Sequence, residues 1–245
     1  MILSASRRTD IPCFYAEWFM NRIRAGYALT RNPMNHSQLS RIELSPDIVD
    51  CIVFWTKDPQ PLIPYLNELE GRGYKYYFQF TLTPYDSSIE PNLRPIDDII
   101  STFIGLAERT ERGRVVWRYD PIILNDSLDV GYHKRRFSEM CKWLAPYTDT
   151  VVISFVDLYA KLKTSLIRQA AEPEIAELTA FIAEPAAEAG IRAVACCESG
   201  LVKYGVGPSS CIDKARIERI LGCSLELGAD RNQRNGCGCY ESVDI

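Results

Sequence analysis

Histidine is almost missing from this sequence: His36 and His133 are the two among 245 residues. Two imidazoles support neither a His-rich metal site nor a histidine proton relay, which counts against a typical hydrolytic metal centre. Long apolar runs are missing as well. No stretch approaches the roughly 20 residues that a membrane helix needs. The start, Met1-Ile-Leu-Ser-Ala-Ser-Arg-Arg, has a three-residue apolar opening before polar residues, far short of a signal-peptide core. Neither sign of charge is in large excess, since 28 Lys and Arg against 32 Asp and Glu leave a net −4 and a pI near 5.4. That balance gives no global electrostatic footprint for nucleic acid, although Arg7-Arg8, Arg135-Arg136 and Arg231 to Arg234 form local basic patches. No Gly-x-Gly-x-x-Gly follows the first strand-like run, so the usual dinucleotide fingerprint is missing. Internal repeats, low-complexity stretches and linkers are also lacking.

What is present is an ordinary globular composition, 47 % hydrophobic and 24 % charged, which excludes disordered and fibrous classes. The length suits one large domain or two small ones. The compositional oddity is nine cysteines, of which Cys196, Cys197, Cys211, Cys223, Cys237 and Cys239 crowd the last 50 residues. A chain of this size buries a core unaided and does not resemble small disulfide-stapled secreted domains. With no targeting segment evident, the expected compartment is the cytoplasm, where clustered cysteines mean metal or redox chemistry more often than disulfides.

Short β-branched or aromatic runs alternate with segments of helical period. Strands are expected at 1–5, 51–55, 74–81, 115–119, 150–155 and 191–195. Helices are expected at 12–24, with Phe14, Trp18 and Ile23 on its apolar face, and at 62–70, 95–112, 132–144 and 173–189. A hairpin, 27–30 with 40–44, interrupts the alternation. Six β-then-α units argue for parallel strands with crossover helices, because a parallel pair cannot be joined by a tight turn. Runs such as Cys51-Ile-Val-Phe-Trp55 are apolar on both faces, as buried parallel strands are. The expected fold is therefore α/β, a (β/α) barrel or partial barrel of about six β/α units over residues 1–200. A Cys- and Gly-rich C-terminal extension, 201–245, packs on it and contains a helix at 214–221.

In such barrels the chemistry lies at the C-terminal ends of the strands. There the sequence places Arg7, Arg8 and Asp10, then Lys57, then Gln79, Thr81 and Thr83, then Arg118 and Asp120. The fifth strand leads to Ser154, Asp157, Tyr159 and Lys161, and the sixth to Cys196, Cys197 and Glu198. Convergence of these side chains would make a polar, anion-binding pocket. Taken singly, Asp10 also fits a helix cap, and Arg118 with Asp120 a structural ion pair.

Cys237-Gly-Cys239 can place two thiolates on one metal, with the glycine permitting a tight turn. With Cys196 and Cys211 on nearby loops, four thiolates become available, enough for a structural zinc or an iron–sulfur cluster. Cys13, Cys51, Cys141 and Cys223 read as packing residues, and Cys197 is unassigned.

Several stretches carry a resemblance. Ser-Ala-Ser-Arg-Arg-Thr-Asp-Ile-Pro at 4–12, Val-Asp-Cys-Ile-Val-Phe-Trp-Thr-Lys-Asp-Pro at 49–59, Tyr-Tyr-Phe-Gln-Phe-Thr at 76–81 and Trp-Arg-Tyr-Asp-Pro-Ile at 117–122 resemble the uncharacterised DUF1848 family. Ser-Phe-Val-Asp at 154–157, Cys-Ile-Asp at 211–213 and Asn-Gln-Arg-Asn-Gly-Cys-Gly-Cys at 232–239 extend the match from end to end. The resemblance implies a partial (β/α)6 barrel and a Cys-x3-Cys-x2-Cys stretch, expected beyond Ile245, like that of radical S-adenosylmethionine enzymes. In those enzymes three thiolates hold a [4Fe–4S] cluster that cleaves S-adenosylmethionine reductively, which also requires an electron donor.

On this reading Arg7, Arg8, Asp10, Lys57, Arg118, Asp120 and Glu198 handle a small polar or anionic substrate. Gln79, Thr81, Asp157 and Asp213 bind cofactor, and Cys196, Cys211, Cys237 and Cys239 form a second metal or cluster site, with zinc as the alternative to iron–sulfur. A distant likeness to DNA-photoproduct-repair lyases admits nucleic acid as substrate, which neither the charge nor an aromatic stacking ladder favours. Two other classes remain open. One is a metal-dependent hydrolase or lyase using Asp10, Asp120, Asp157 and Glu198; the other is a non-enzymatic metal-binding protein whose rim forms no closed pocket.

Overall fold

A computed structural model describes residues 1–31, 35, 37–158, 166–230, 233 and 237–245. The chain divides into two compact units. The first is built from residues 1–80, 212–231 and 240–245, the second from 81–211 and 232–239.

In the first unit four parallel strands run in the order β10-β1-β4-β5. They are β1 (Ile2–Ala5), β4 (Cys51–Thr56), β5 (Tyr76–Thr81) and the two-residue β10 (Val243–Asp244). Every residue of β1, and every residue of β4 except Trp55, is buried, as expected for strands covered on both faces. Their aromatic side chains interlock: Phe19 meets Phe54 edge-on at 5.4 Å, and Phe54 stacks on Phe78 at 5.0 Å. Around this sheet lie α1 (Ile11–Phe14), α2 (Ala16–Ala25), α3 (Leu66–Gly71) and α7 (Lys214–Leu221). The expected hairpin forms as β2 (Tyr27–Arg31) paired antiparallel with β3 (Leu39–Glu43).

The second unit has a parallel set in the order β6-β7-β8-β9: β6 (Val115–Ile122), β7 (Thr150–Phe155), β8 (Arg192–Ala195) and β9 (Gly207–Pro208). Its helices are α4 (Ile96–Arg109), α5 (Val130–Leu144) and α6 (Glu172–Glu188). α5 shows why these segments become helices. Asp129 caps it by accepting the Tyr132 N–H at 2.6 Å, and His133, Phe137, Met140, Cys141 and Leu144 recur at helical spacing on its buried side. Phe137 stacks on Trp117 of β6 at 5.1 Å, joining helix to sheet.

Three expectations need correction. The structure supports a parallel α/β architecture, but a closed barrel is not shown: neither strand set closes on itself. The expected helix 12–24 breaks at Tyr15 into α1 and α2. The face α2 buries is Ala16, Phe19, Met20 and Ile23, while Phe14 and Trp18 are 65 % and 39 % exposed; Phe14 lies before the break, and Trp18, within α2, falls at helical spacing on the side opposite the buried stripe. Cys223 is exposed rather than packed, because it lies just after the Gly222 cap of α7. Cys51 and Cys141 are buried as expected, and Cys13 is half-buried. The two-residue strands β9 and β10 carry no periodic signal and were not expected.

No helix among the described residues is long and apolar enough to cross a membrane.

Candidate functional site: a buried thiol cluster

The first unit brings together several of the expected site residues, and their contacts there are with the fold itself. Asp10 caps α1 by accepting the Cys13 N–H at 2.9 Å, and its other oxygen accepts the Lys57 N–H at 2.7 Å. Burial raises its pKa, against which these backbone donors pull down. Arg7 donates its backbone N–H to Asp244 at 2.8 Å and its guanidinium to Asp230 and Ser242. Arg8 Nε reaches Asp244 at 2.8 Å. Asp213 caps α7, accepting the Arg216 N–H at 3.2 Å. Gln79 is buried within β5.

The second unit gathers the rest. Arg118 and Asp120 of β6 are both buried and paired in a fork: Nε donates to Oδ1 at 3.0 Å and Nη2 to Oδ2. Two residues apart on one strand, their side chains leave the same face, which permits this bidentate geometry. The third guanidinium nitrogen, Nη1, donates to Cys211 Sγ at 3.0 Å. Ser154 Oγ of β7 donates to Asp120 at 3.4 Å.

Cys211 is the centre of a chain of thiols. Its Sγ is 3.5 Å from Cys196 Sγ, and Cys196 Sγ is 4.0 Å from Cys197 Sγ. The Cys211 N–H donates to Cys239 Sγ at 3.2 Å, and Cys237 pairs with Cys197. Cys211 is held well below the ordinary thiol range, first by its hydrogen bond with Cys196, then by that with Cys239, with Arg118 adding to both against burial. Cys196 is raised, because it serves Cys211 as donor and is itself buried.

Cys197, to which the sequence assigns no role, joins this thiol chain. Its φ of 58° is in the left-handed region, and it is the one non-glycine described there. Consecutive residues of an extended chain face opposite ways; the left-handed turn lets Cys196 and Cys197 present both thiols to one side. Such backbone costs about 1–3 kcal/mol and concentrates at functional sites.

Beside the thiols is a cavity of about 250 Å³ lined by Ser154, Asp157, Cys196, Cys197, Glu198 and Gln233. Glu198 accepts the Phe155 N–H at 2.6 Å. Burial pushes its pKa up to about 7, with the Asp157 and Asp120 charges acting in the same direction against that backbone bond. Thr81 lines a separate, larger cavity of about 440 Å³ in the same unit, with Tyr85, Glu90, Arg94, Tyr132 and Arg136. Tyr159, Lys161, Arg231 and Arg234 lie outside the described residues.

His133 is a core residue. Its Nδ1 faces the Tyr119 hydroxyl at 2.8 Å and its Nε2 the Ile123 carbonyl at 2.9 Å. Among the described residues, no three His, Cys, Asp or Glu side chains already converge on one point as a preformed metal site; the thiols touch as a chain of pairs.

A parallel α/β protein with five neighbouring thiols above a buried Arg–Asp fork is the class that fold and site define. The chain matches the family described as "Domain of unknown function (DUF1848)" over residues 2–245, and it belongs to that family. No curated protein matches it. Among solved structures it is similar to one from Bacteroides thetaiotaomicron described as a "putative alpha-L-fucosidase". The TM-score is 0.35 at 11 % identity, covering 91 % of this chain and 84 % of that one.

Proposed function

We propose that this protein is a metal-thiolate enzyme acting on a small polar or anionic substrate beside β7 and β8. The carrying observation is the contact of Cys211 Sγ with Cys196 Sγ at 3.5 Å and with Arg118 Nη1 at 3.0 Å. Thiolates are the strongest protein ligands for zinc and iron, and N–H donors aimed at sulfur are the outer partners that such ligands use. Cys196, Cys211, Cys237 and Cys239, named from sequence, together with Cys197, supply the sulfur. Asp157 and Glu198 offer carboxyls to polar groups of the substrate, and Arg118 with Asp120 fixes the floor of the thiol cluster. A cavity of about 250 Å³ is below the usual range for drug-sized ligands and suits a small molecule.

The finer reading, radical S-adenosylmethionine chemistry, is supported by the sequence resemblance alone. Three thiolates at Cys-x3-Cys-x2-Cys spacing occur nowhere in residues 1–245, so these residues do not fit that cluster and no step is derived through it.

The test is metal analysis of the full chain purified without oxygen, with Cys211→Ser alongside. Bound zinc or iron that falls in the variant is the expected result. A protein that binds neither metal in any preparation, or a variant with unchanged metal content, overturns the reading.

A further inference from the structure

The connection 82–95, from the end of β5 to the start of α4, is longer than the about 2–6 residues that usually join a strand to a helix. It is pinned along its length. The Leu82 N–H donates to the Arg118 carbonyl at 3.0 Å. The Tyr85 hydroxyl is fastened twice, donating to the Pro121 carbonyl at 2.8 Å and accepting the Ile123 N–H at 2.7 Å. Tyr132 of α5 donates its hydroxyl to the Pro84 carbonyl at 2.6 Å. Enclosed by this loop and by residues of α4 and α5 is the cavity of about 440 Å³, within the about 300–1,000 Å³ of small-molecule sites. It shares no lining residue with the cavity beside the thiols.

Leu82, Pro84, Leu93, Ile96 and Ile99 give the cavity an apolar lining, and its charged groups are Asp86, Glu90, Arg94 and Arg136. The acids and the bases are held differently. Thr83 donates its hydroxyl to Glu90 at 3.2 Å, and Ser88 its N–H to Asp86 at 2.9 Å, so both carboxylates serve the fold of the loop. The guanidiniums are anchored on the helices. Arg94 Nη2 donates to Thr102 Oγ1 of α4 at 2.7 Å, and Arg136 Nη1 to Glu139 of α5 at 2.7 Å. A guanidinium carries five N–H donors in one plane and no acceptor, so an anchored one is oriented toward a planar, two-oxygen anion. We propose that this cavity binds a small organic carboxylate with an apolar body, the carboxylate on Arg136 and Arg94 and the body against Leu93, Ile96 and Ile99. Two guanidiniums and two carboxylates leave the lining near neutral. That balance suits a monoanion better than a phosphate monoester, which carries about −1.5 to −2. The site is independent of the metal-thiolate reading, since no cysteine lines it.

The experiment is methyl NMR of the full chain titrated with phenylacetate, phenylacetamide, acetate and phenyl phosphate. Phenylacetate should shift the Ile96 and Ile99 methyl signals and saturate. The amide keeps the body without the charge, and acetate keeps the charge without the body; each should bind about tenfold or more weakly, as loss of a bond to a charged group or of a buried ring requires. Arg136→Gln should weaken phenylacetate by a similar factor with the other methyl signals in place. No shift at Ile96 or Ile99 with any probe overturns the site. An amide that binds as tightly as the acid overturns the role of the guanidiniums, and tighter binding of phenyl phosphate overturns the carboxylate class. Unchanged affinity in Arg136→Gln overturns the placement of the carboxylate. The four probes are compared on the unsubstituted chain, so a variant that fails to fold does not remove the test.

Discussion

Arg118 joins two chemistries through one side chain: Nη1 donates to the Cys211 sulfur at 3.0 Å, while Nε and Nη2 grip Asp120. Both charges are buried, so the guanidinium cannot be lost without stranding a carboxylate. Arg118→Met should destabilise the fold by about 3–5 kcal/mol, the usual penalty for breaking a buried pair from one side. The double variant Arg118→Met with Asp120→Leu should recover much of that loss. Urea unfolding followed by circular dichroism measures both; a double variant no more stable than the single one contradicts the pairing.

Native thiol labelling should rank the packing cysteines by exposure. Cys223 is exposed, Cys51 and Cys141 are buried, and burial pushes the Cys141 thiol up to about 11. Since the thiolate is the reacting form, iodoacetamide at pH 7.5 should modify Cys223 first and leave Cys51 and Cys141 unmodified until the chain unfolds. Peptide mass spectrometry over time reads the order, and early modification of Cys141 would contradict it.

His133 predicts a direction for stability against pH. Burial lowers its folded pKa, outweighing the Ile123 carbonyl that favours the charged ring. Unfolded, the ring titrates near about 6.5. Below that pH the unfolded chain binds the extra proton more readily, so the stability contributed by the neutral ring is present above about 6.5 and lost as pH falls through the lowered folded value. Between pH 7.5 and 5 the thermal midpoint of the native protein should fall further than that of His133→Gln. Equal slopes would show that the ring does not titrate this way.

Asp244 collects the Ser6 hydroxyl, the Arg7 N–H and Arg8 Nε on one carboxylate. Because Arg8 is about half exposed, that ion pair adds little, and the bonds from the partly buried Ser6 hydroxyl and from the Arg7 backbone N–H dominate. Asp244→Ala should cost about 1–2 kcal/mol and speed amide exchange in β1. Unchanged exchange at Leu3 and Ser4 would mean that β10 does not depend on this carboxylate.

The alternation of strands and helices was legible because apolar content differs between them in period. Cys51 to Trp55 reads as a strand buried on both faces, and Phe137, Met140, Cys141 and Leu144 read as one helix face. The break at Tyr15 was not legible, since no glycine or proline marks it. At the strand ends the sequence showed which residues were polar but not what each would touch. Asp10 and Asp213 sit at helix starts, where a carboxylate serves as a cap, while Arg118 and Asp120 share the alternate positions of one buried strand. Cys197 was missed for a local reason. Adjacent side chains ordinarily diverge, and only a left-handed backbone, invisible in composition, turns them the same way.

The division into units has a consequence for how the molecule is made. The chain passes from one unit to the other between residues 80 and 81, 211 and 212, 231 and 232, and 239 and 240. The second unit is completed only by residues 232–239, so on the ribosome Cys196, Cys197 and Cys211 emerge first and wait through 28 further residues for Cys239, the partner of Cys211. During that interval they are open to oxidation, so the supply of reductant at the time of synthesis bears on how much of the protein assembles its thiol cluster.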